Sequence, residues 1–258
     1  MHAAQRAERE RAAYDEGLRR SRYNQIFRHT HYLYRQRRHV AVAEILRNVP
    51  HERVLEIGST AWTLFLEQNG IRPAELTCIN ISERELGSGI AAAQHSHLKP
   101  HFKIMDAHAL EMPDGSCDVV FGVSVLHHLS LEAALQEVRR VLKPSGLMIF
   151  AEPLDINPFG RLVRALTPRA RTEDERPFRD DDLRIIDRFF ECDRHFEQLL
   201  SVPLGIIAGL LFEHEDNRLT RAAFGQDEVL QHWFPQLGRY YRHVLLVGRA
   251  RPTVLPAH

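Results

Sequence analysis

Chemistry-bearing residues gather where short apolar runs end in this sequence. Glu56 and Gly58 close the run Arg53-Val-Leu-Glu-Ile-Gly-Ser-Thr, and Asn80 and Ile81 close Glu75-Leu-Thr-Cys-Ile-Asn-Ile. Asp106 and Ala107 follow His101 to Met105, while Ser124 and the pair His127-His128 follow Asp118 to Val123. A glycine turn after a strand lets backbone N–H groups approach a ligand closely. Glu56 there could accept from a ligand's hydroxyl or ammonium groups. Imidazole can take a proton from a hydroxyl near neutral pH, so His127 and His128 are candidate bases. The competing roles are ordinary ones: a turn or cap for Asp106, packing and helix capping for the histidines.

Elements that could align such residues follow from the pattern. Val54, Leu55 and Ile57 predict a strand stopped by Gly58, with a helix from Ala61 to Gln68. Glu75–Ile81 predicts a second strand, and Ser82 caps a helix that Gly87 and Gly89 weaken before it reaches Ala93. His101–Met105, Asp118–Val123 and Leu147–Ala151 predict three more strands. Leu131, Ala134, Leu135, Val138 and Leu142 share one helix face behind Ser130, with Pro144 and Gly146 as terminators. Asp181–Phe190 predicts a helix, His195–Leu200 a sixth strand and Tyr240–Arg249 the last. Alternating strands and helices mean a parallel sheet with any ligand at the strands' carboxyl ends.

The 258 residues suffice for one large α/β domain with a helical addition. A formal net charge of zero gives no global electrostatic case for nucleic acid or acidic partners. Cys78, Cys117 and Cys192 lie far apart without disulfide or metal spacing, so no metal is expected, and a reducing, cytoplasmic setting is. Leu199–Phe212 is the longest apolar run, short of the ~20 residues a spanning helix needs. It predicts either buried core or a membrane-facing or lipophilic-substrate wall.

Met1–Ala13 predicts a frayed or weakly helical tail. Within Tyr14–Arg38, Tyr23 and Phe27 lie four residues apart on one helical face that Thr30 and Tyr34 continue. Residues 153–180 break the pattern with prolines and arginines and predict an irregular insertion.

Three blocks, Val54-Leu-Glu-Ile-Gly, Met105-Asp-Ala through Leu126-His-His, and Glu137 through the Lys143-Pro-Ser-Gly turn to Pro153, resemble class I S-adenosylmethionine-dependent methyltransferases. The small-molecule and ubiquinone-biosynthesis type is the nearest in pattern, and the similarity covers Val40–Pro153 closely. It implies a Rossmann-like doubly wound sheet of seven strands, mostly parallel with an antiparallel last strand. Residues 1–39 would add a helical segment, either a lid over the site or an extension packed on the main domain, and 40–258 the methyltransferase domain. S-adenosylmethionine is the implied cofactor, with Glu56, Gly58, Ser59, Asn80, Ile81, Asp106, Ala107 and Ser124 around it. Asp106 would meet the adenine amino group and Ala107 a ring nitrogen. Ser59-Thr-Ala61 and Asn80 depart from the family's further glycines and ribose-binding carboxylate. Tyr14, Tyr23 and Phe27 are the expected acceptor contacts.

The expected activity is methyl transfer to a small metabolite, an apolar one included. The alternatives are a degenerate fold acting as a non-catalytic partner, and an RNA methyltransferase guided by the N-terminal arginines. Absence of an Asp-Pro-Pro-Tyr or Asn-Pro-Pro-Tyr sequence argues against methylation of adenine or glutamine amides. A homodimer stays open.

Overall fold

The computed structural model describes residues 3–16, 21–58, 62–170, 172 and 175–252. Strands β1 (Arg53–Ile57), β2 (Glu75–Asn80), β3 (His101–Ile104), β4 (Cys117–Val123), β5 (Leu142–Pro153), β6 (Phe190–Glu197) and β7 (His243–Ala250) form a seven-stranded sheet of order β3-β2-β1-β4-β5-β7-β6. Every pairing is parallel except those of β7, which runs antiparallel to both β5 and β6. The doubly wound arrangement implied by the resemblance is therefore present.

Period-two alternation sends side chains to two cores. Leu55 and Ile57 of β1 join one with Val120 and Met148, shared by helices α6 (Leu131–Val141) and α8 (Asp180–Phe189). Val54, Cys78 and Phe121 join the other, covered by α3 (Arg28–Arg47) and α4 (Trp62–Gln68). Strands buried on both faces read as continuous apolar runs, which is why they were visible in the sequence.

Several boundaries differ from expectation. Of the two outcomes expected for the N-terminal tail, frayed or helical, it is helical, and the helix, α1 (Ala3–Glu16), runs past Ala13. The aromatic segment is two helices, α2 (Ser21–Ile26) and α3, parted at Phe27, and α3 runs unbroken through residues 39 and 40. Between β2 and β3, α5 (Glu83–Ala93) starts at Ser82, whose hydroxyl accepts from the Glu85 N–H as expected. Helix α6 stops at Val141 and β5 begins at once, so Pro144 and Gly146 lie within the strand, beside a register shift opposite Cys117–Val119. Ser130 stands at the α6 N-cap without a side-chain capping bond. Strand β6 begins at Phe190, five residues before the predicted start; its alternating partial exposure hid it.

Residues 153–180 are not wholly irregular. Asn157 caps an amphipathic helix, α7 (Pro158–Leu166), by accepting from the Gly160 N–H. The segment's ends are pinned together: Leu154 and Phe178 form a parallel bridge, with Phe178 N–H donating to the Pro153 carbonyl at 2.8 Å. The apolar run becomes α9 (Ser201–Leu211), followed by α10 (Arg218–Trp233). Val202 and Ala208 are buried while Leu210 and Leu211 are exposed. Gly205 permits a close crossing with α3, because a Cβ there would come within 2.2 Å of Thr30 Oγ1. Among the described residues no helix is long and apolar enough to cross a membrane.

Candidate functional site

Gly58, Asn80, Ile81, Asp106, Ala107 and Ser124, each at or just past the carboxyl end of its strand, line one cavity of about 460 Å³. That volume lies within the ~300–1,000 Å³ usual for small-molecule sites. Gly58 sits at φ +103°, a conformation side-chain-bearing residues rarely adopt, which is what the turn after β1 requires. Asn80 donates through Nδ2 to the Gly58 carbonyl at 2.8 Å and accepts the Ser82 N–H at 2.9 Å. The amide thus ties two loops together, a task a carboxylate could not perform on the Gly58 side.

Asp106 Oδ1 accepts from the His108 backbone N–H at 2.9 Å and lies 2.7 Å from His108 Nδ1. Burial pushes its carboxyl up, but the two hydrogen bonds from His108 outweigh this and hold it below the ordinary value. Both bonds use Oδ1, so Oδ2 has no hydrogen bond among the described residues and is available to a ligand amine. The turn role weighed for Asp106 is thus present, and it leaves Oδ2 unused.

Ser124 has φ +52° and donates its N–H to the Ala151 carbonyl. Beyond it, a 3-10 turn (Leu126–His128) is organised by Glu152, which sequence reasoning missed. Glu152 accepts from the N–H groups of Val125, Leu126 and His127 and lies 2.7 Å from His127 Nδ1. It is fully buried, and burial pushes its carboxyl up to about 7 against those amide bonds. Burial, with His128 adjacent, holds the His127 imidazole well below its usual value. The pair therefore carries one shared proton near neutral pH. The signal for Glu152 was an acid at a strand end in Phe150-Ala-Glu-Pro, the same pattern as Glu56.

Glu56 was expected among the cofactor contacts. It does not line the cavity. Strand alternation turns it toward the α3–α4 side, where Cys78 Sγ donates to it at 3.2 Å. Phe27, expected as an acceptor contact, is fully buried with Val163 and Val202 and is not among the residues lining the cavity. Ser59 lies outside the described residues.

Helix α1 roofs the site. Tyr14 and Tyr23 line the cavity as expected, with Ala7, Glu10 and Asn24. Tyr14 OH lies 3.1 Å from His128 Nε2, and Glu10 Oε2 lies 3.0 Å from His128 Nδ1, although neither of these last two atoms finds hydrogen-bonding geometry. Glu10 Oε1 accepts from Thr172 at 2.6 Å, and Ser82 Oγ donates to Asp15 at 2.5 Å. His127, His128 and Glu175 bring one ligand atom each within 4.8 Å of one another, a set that could draw a divalent cation. Arg164 occupies the Glu175 carboxylate instead, at 2.9 Å.

Residues 55–150 match a methyltransferase-domain family model. Over 140 residues the chain is 31% identical to a sterol 24-C-methyltransferase of Gibberella zeae, covering 53% of this chain and 33% of that protein. Over 112 residues it is 28% identical to the O-methyltransferase cnsE of Penicillium expansum, covering 42% and 40% respectively. The chain thus spans between a third and two fifths of these curated relatives. In fold it is similar to the N-methyltransferase NodS of Bradyrhizobium japonicum, solved with S-adenosyl-L-homocysteine, at TM-score 0.51 and 15% identity, covering 84% of this chain and 87% of that one.

Proposed function

We propose that residues 55–150, which match a methyltransferase-domain model, form a class I S-adenosylmethionine-dependent methyltransferase domain that moves a methyl group from that cofactor to a small-molecule acceptor. The observation that carries this reading is the convergence of Gly58, Asn80, Ile81, Asp106, Ala107 and Ser124 on one cavity at the carboxyl ends of β1 to β4. The free Asp106 Oδ2 fits the adenine amino group, and Gly58 and Asn80 fit the ribose and amino-acid ends. When bound, the cofactor supplies a methyl group on a sulfonium.

The protein's own part is alignment, exclusion of water and removal of a proton. His127 is the favoured proton acceptor over His128. Glu152 holds His127 Nδ1, whereas both ring nitrogens of His128 face roof residues, Glu10 and Tyr14. A proton taken from the acceptor at His127 Nε2 is stabilised by the buried carboxyl behind it. Residues 1–39 act as a lid, since Glu10, Tyr14, Tyr23 and His31 all line the cavity from above the sheet.

Calorimetry with S-adenosyl-L-homocysteine tests the reading. Ligand at ~100 times its dissociation constant should stabilise the fold by ~2.7 kcal/mol. No heat and no melting shift at millimolar ligand would refute it.

A further inference from the structure

The β5–β7 side of the cavity holds a positive charge without a counter-charge. Arg242, just before β7, is 4% exposed and lines the cavity. Its guanidinium donates to the Tyr23 hydroxyl and the Gln198 side-chain oxygen, lies 3.2 Å from His31 Nε2 and sits 3.9 Å above the Phe27 ring. Burial, reinforced by Arg242 itself, holds His31 well below its usual pKa and hence neutral. Among the described residues, then, Arg242 touches only neutral groups. Withdrawing a guanidinium from water costs several kcal/mol unless an opposite charge compensates.

The neighbouring cations are already engaged. Arg38 meets Glu197 at 3.3 Å and Arg164 meets Glu175 at 2.9 Å. His243, the next residue after Arg242, is buried and lines the same cavity, yet neither of its ring nitrogens has a hydrogen-bond partner among the described residues. A buried imidazole with both nitrogens unmet is costly unless a ligand satisfies it. Arg35 adds a further positive side chain to the lining.

Sheet order separates this cluster from the donor residues. Gly58, Asn80 and Asp106 follow β1, β2 and β3; Arg242 and His243 stand beside β5, where Pro153 pairs with His243, on the far side of β4. The His127 turn lies between the two groups, after β4.

We infer that this end of the cavity binds an anionic group of the acceptor, a carboxylate or a phosphate, against the Arg242 guanidinium with His243 as a second donor. The acceptor is thereby a small molecule with a charged end, rather than a uniformly apolar one. Assigning the anion to the acceptor rests on the methyl-transfer reading; the anion site itself does not.

The test uses the full chain, with inorganic phosphate, diphosphate and benzoate as probes against sodium chloride of equal ionic strength. Calorimetry and melting curves are recorded for the wild type, Arg242→Gln and His243→Asn, and S-adenosyl-L-homocysteine is titrated separately. At least one anion should bind the wild type and raise its melting temperature above the chloride control. Its affinity should fall at least roughly tenfold in Arg242→Gln, the loss expected for a hydrogen bond to a charged group, and less in His243→Asn. The preference between benzoate and the phosphates identifies the anion's chemistry. If Arg242→Gln does not fold, His243→Asn carries the comparison. The inference is overturned by wild-type protein that responds to none of the anions, or by affinities unchanged in the folded variants. It is also overturned if the anions compete with S-adenosyl-L-homocysteine and the variants lose both, since Arg242 would then belong to the donor's carboxylate. Anion binding without any S-adenosyl-L-homocysteine binding would instead leave the site standing and remove methyl transfer.

Discussion

Arg6 and His128 are joined across most of the catalytic half of the chain: Arg6 Nε donates to the His128 carbonyl at 2.6 Å, and its Nη2 to the His127 carbonyl at 3.0 Å. A single side chain of α1 therefore holds the turn that presents both imidazoles. The roof and the candidate base are one assembly, secured further by Tyr14 and Glu10 around His128.

Removing residues 1–16 should leave a folded protein, because only Ala7 and Glu10 of α1 are buried. Transfer should fall by roughly 100-fold, the cost of a small misplacement of reacting groups. Hydrogen exchange across 3–16 should slow when donor is added. Full turnover in the truncated chain would show that α1 is only packing.

Asp106 can be dissected with two variants. Asp106→Ala should weaken donor binding by about 1.5–3 kcal/mol and also loosen the His108 turn. Asp106→Asn keeps an oxygen for the His108 N–H while replacing a free carboxylate oxygen with a donor. It should therefore lose donor affinity with little change in melting temperature. Equal donor affinity in wild type and Asp106→Asn would confine the residue to the turn.

The His127–Glu152 pair makes a signed prediction about pH. Folded, Glu152 is raised to about 7 by burial and His127 is depressed well below its usual value. Between about pH 4.5 and 6.5 the folded pair keeps one proton on the acid and the unfolded pair one on the imidazole, so the pair contributes no slope there. In Glu152→Gln only the histidine titrates. Its folded pKa is lowered, so its stability contribution is full above about 6.5 and lost as pH falls below it. Relative to wild type, Glu152→Gln should thus be destabilised more at pH 5 than at pH 8. Denaturant melts at both pH values read this directly, and a pH-independent difference would contradict the shared-proton arrangement.

Two positive-φ residues after β1 and β4 should respond with opposite signs. Gly58→Ala forces a side chain to φ +103° and should cost about 1–2 kcal/mol or more. Ser124→Gly relieves a side chain at φ +52° and should add about 1 kcal/mol, a rise of ~2–4 °C. A lower melting temperature for Ser124→Gly would mean the serine hydroxyl holds the turn more than the backbone strains it.

The strand ends were legible in the sequence because each parallel strand is buried on both faces and stops abruptly at a polar or glycine residue. Singling out Asp106, Ala107, Asn80 and Ser124 at those ends needed the family resemblance as well. Glu56 misled for the same reason: an acid at a strand end is visible, but the face it takes depends on a one-residue alternation that needs the sheet to resolve it. Glu152, of the opposite parity on β5, is also buried away from the cavity and holds the turn that carries His127. Tyr23 and Phe27 do share a face, with ring centroids 5.0 Å apart, but which of the two reaches the cavity depends on Val163 and Val202 packing over Phe27 from distant stretches. Arg242 and His243 could not be found locally; their meaning comes from Tyr23, His31 and Gln198, which reach them from distant stretches.

The Leu154–Phe178 bridge fixes where the segment between them leaves the sheet and where it rejoins, so the two ends meet whatever lies between. Chain length across such a neck changes closure entropy only slowly. Arg164, Ala170 and Glu175, which line the cavity, and Thr172, which holds Glu10, all sit on this closed excursion. Arg164, Ala170 and Glu175 therefore wall the cavity from an excursion anchored at both ends, so a change of side chain at one of them redraws that wall without moving the points where the chain leaves and rejoins the sheet.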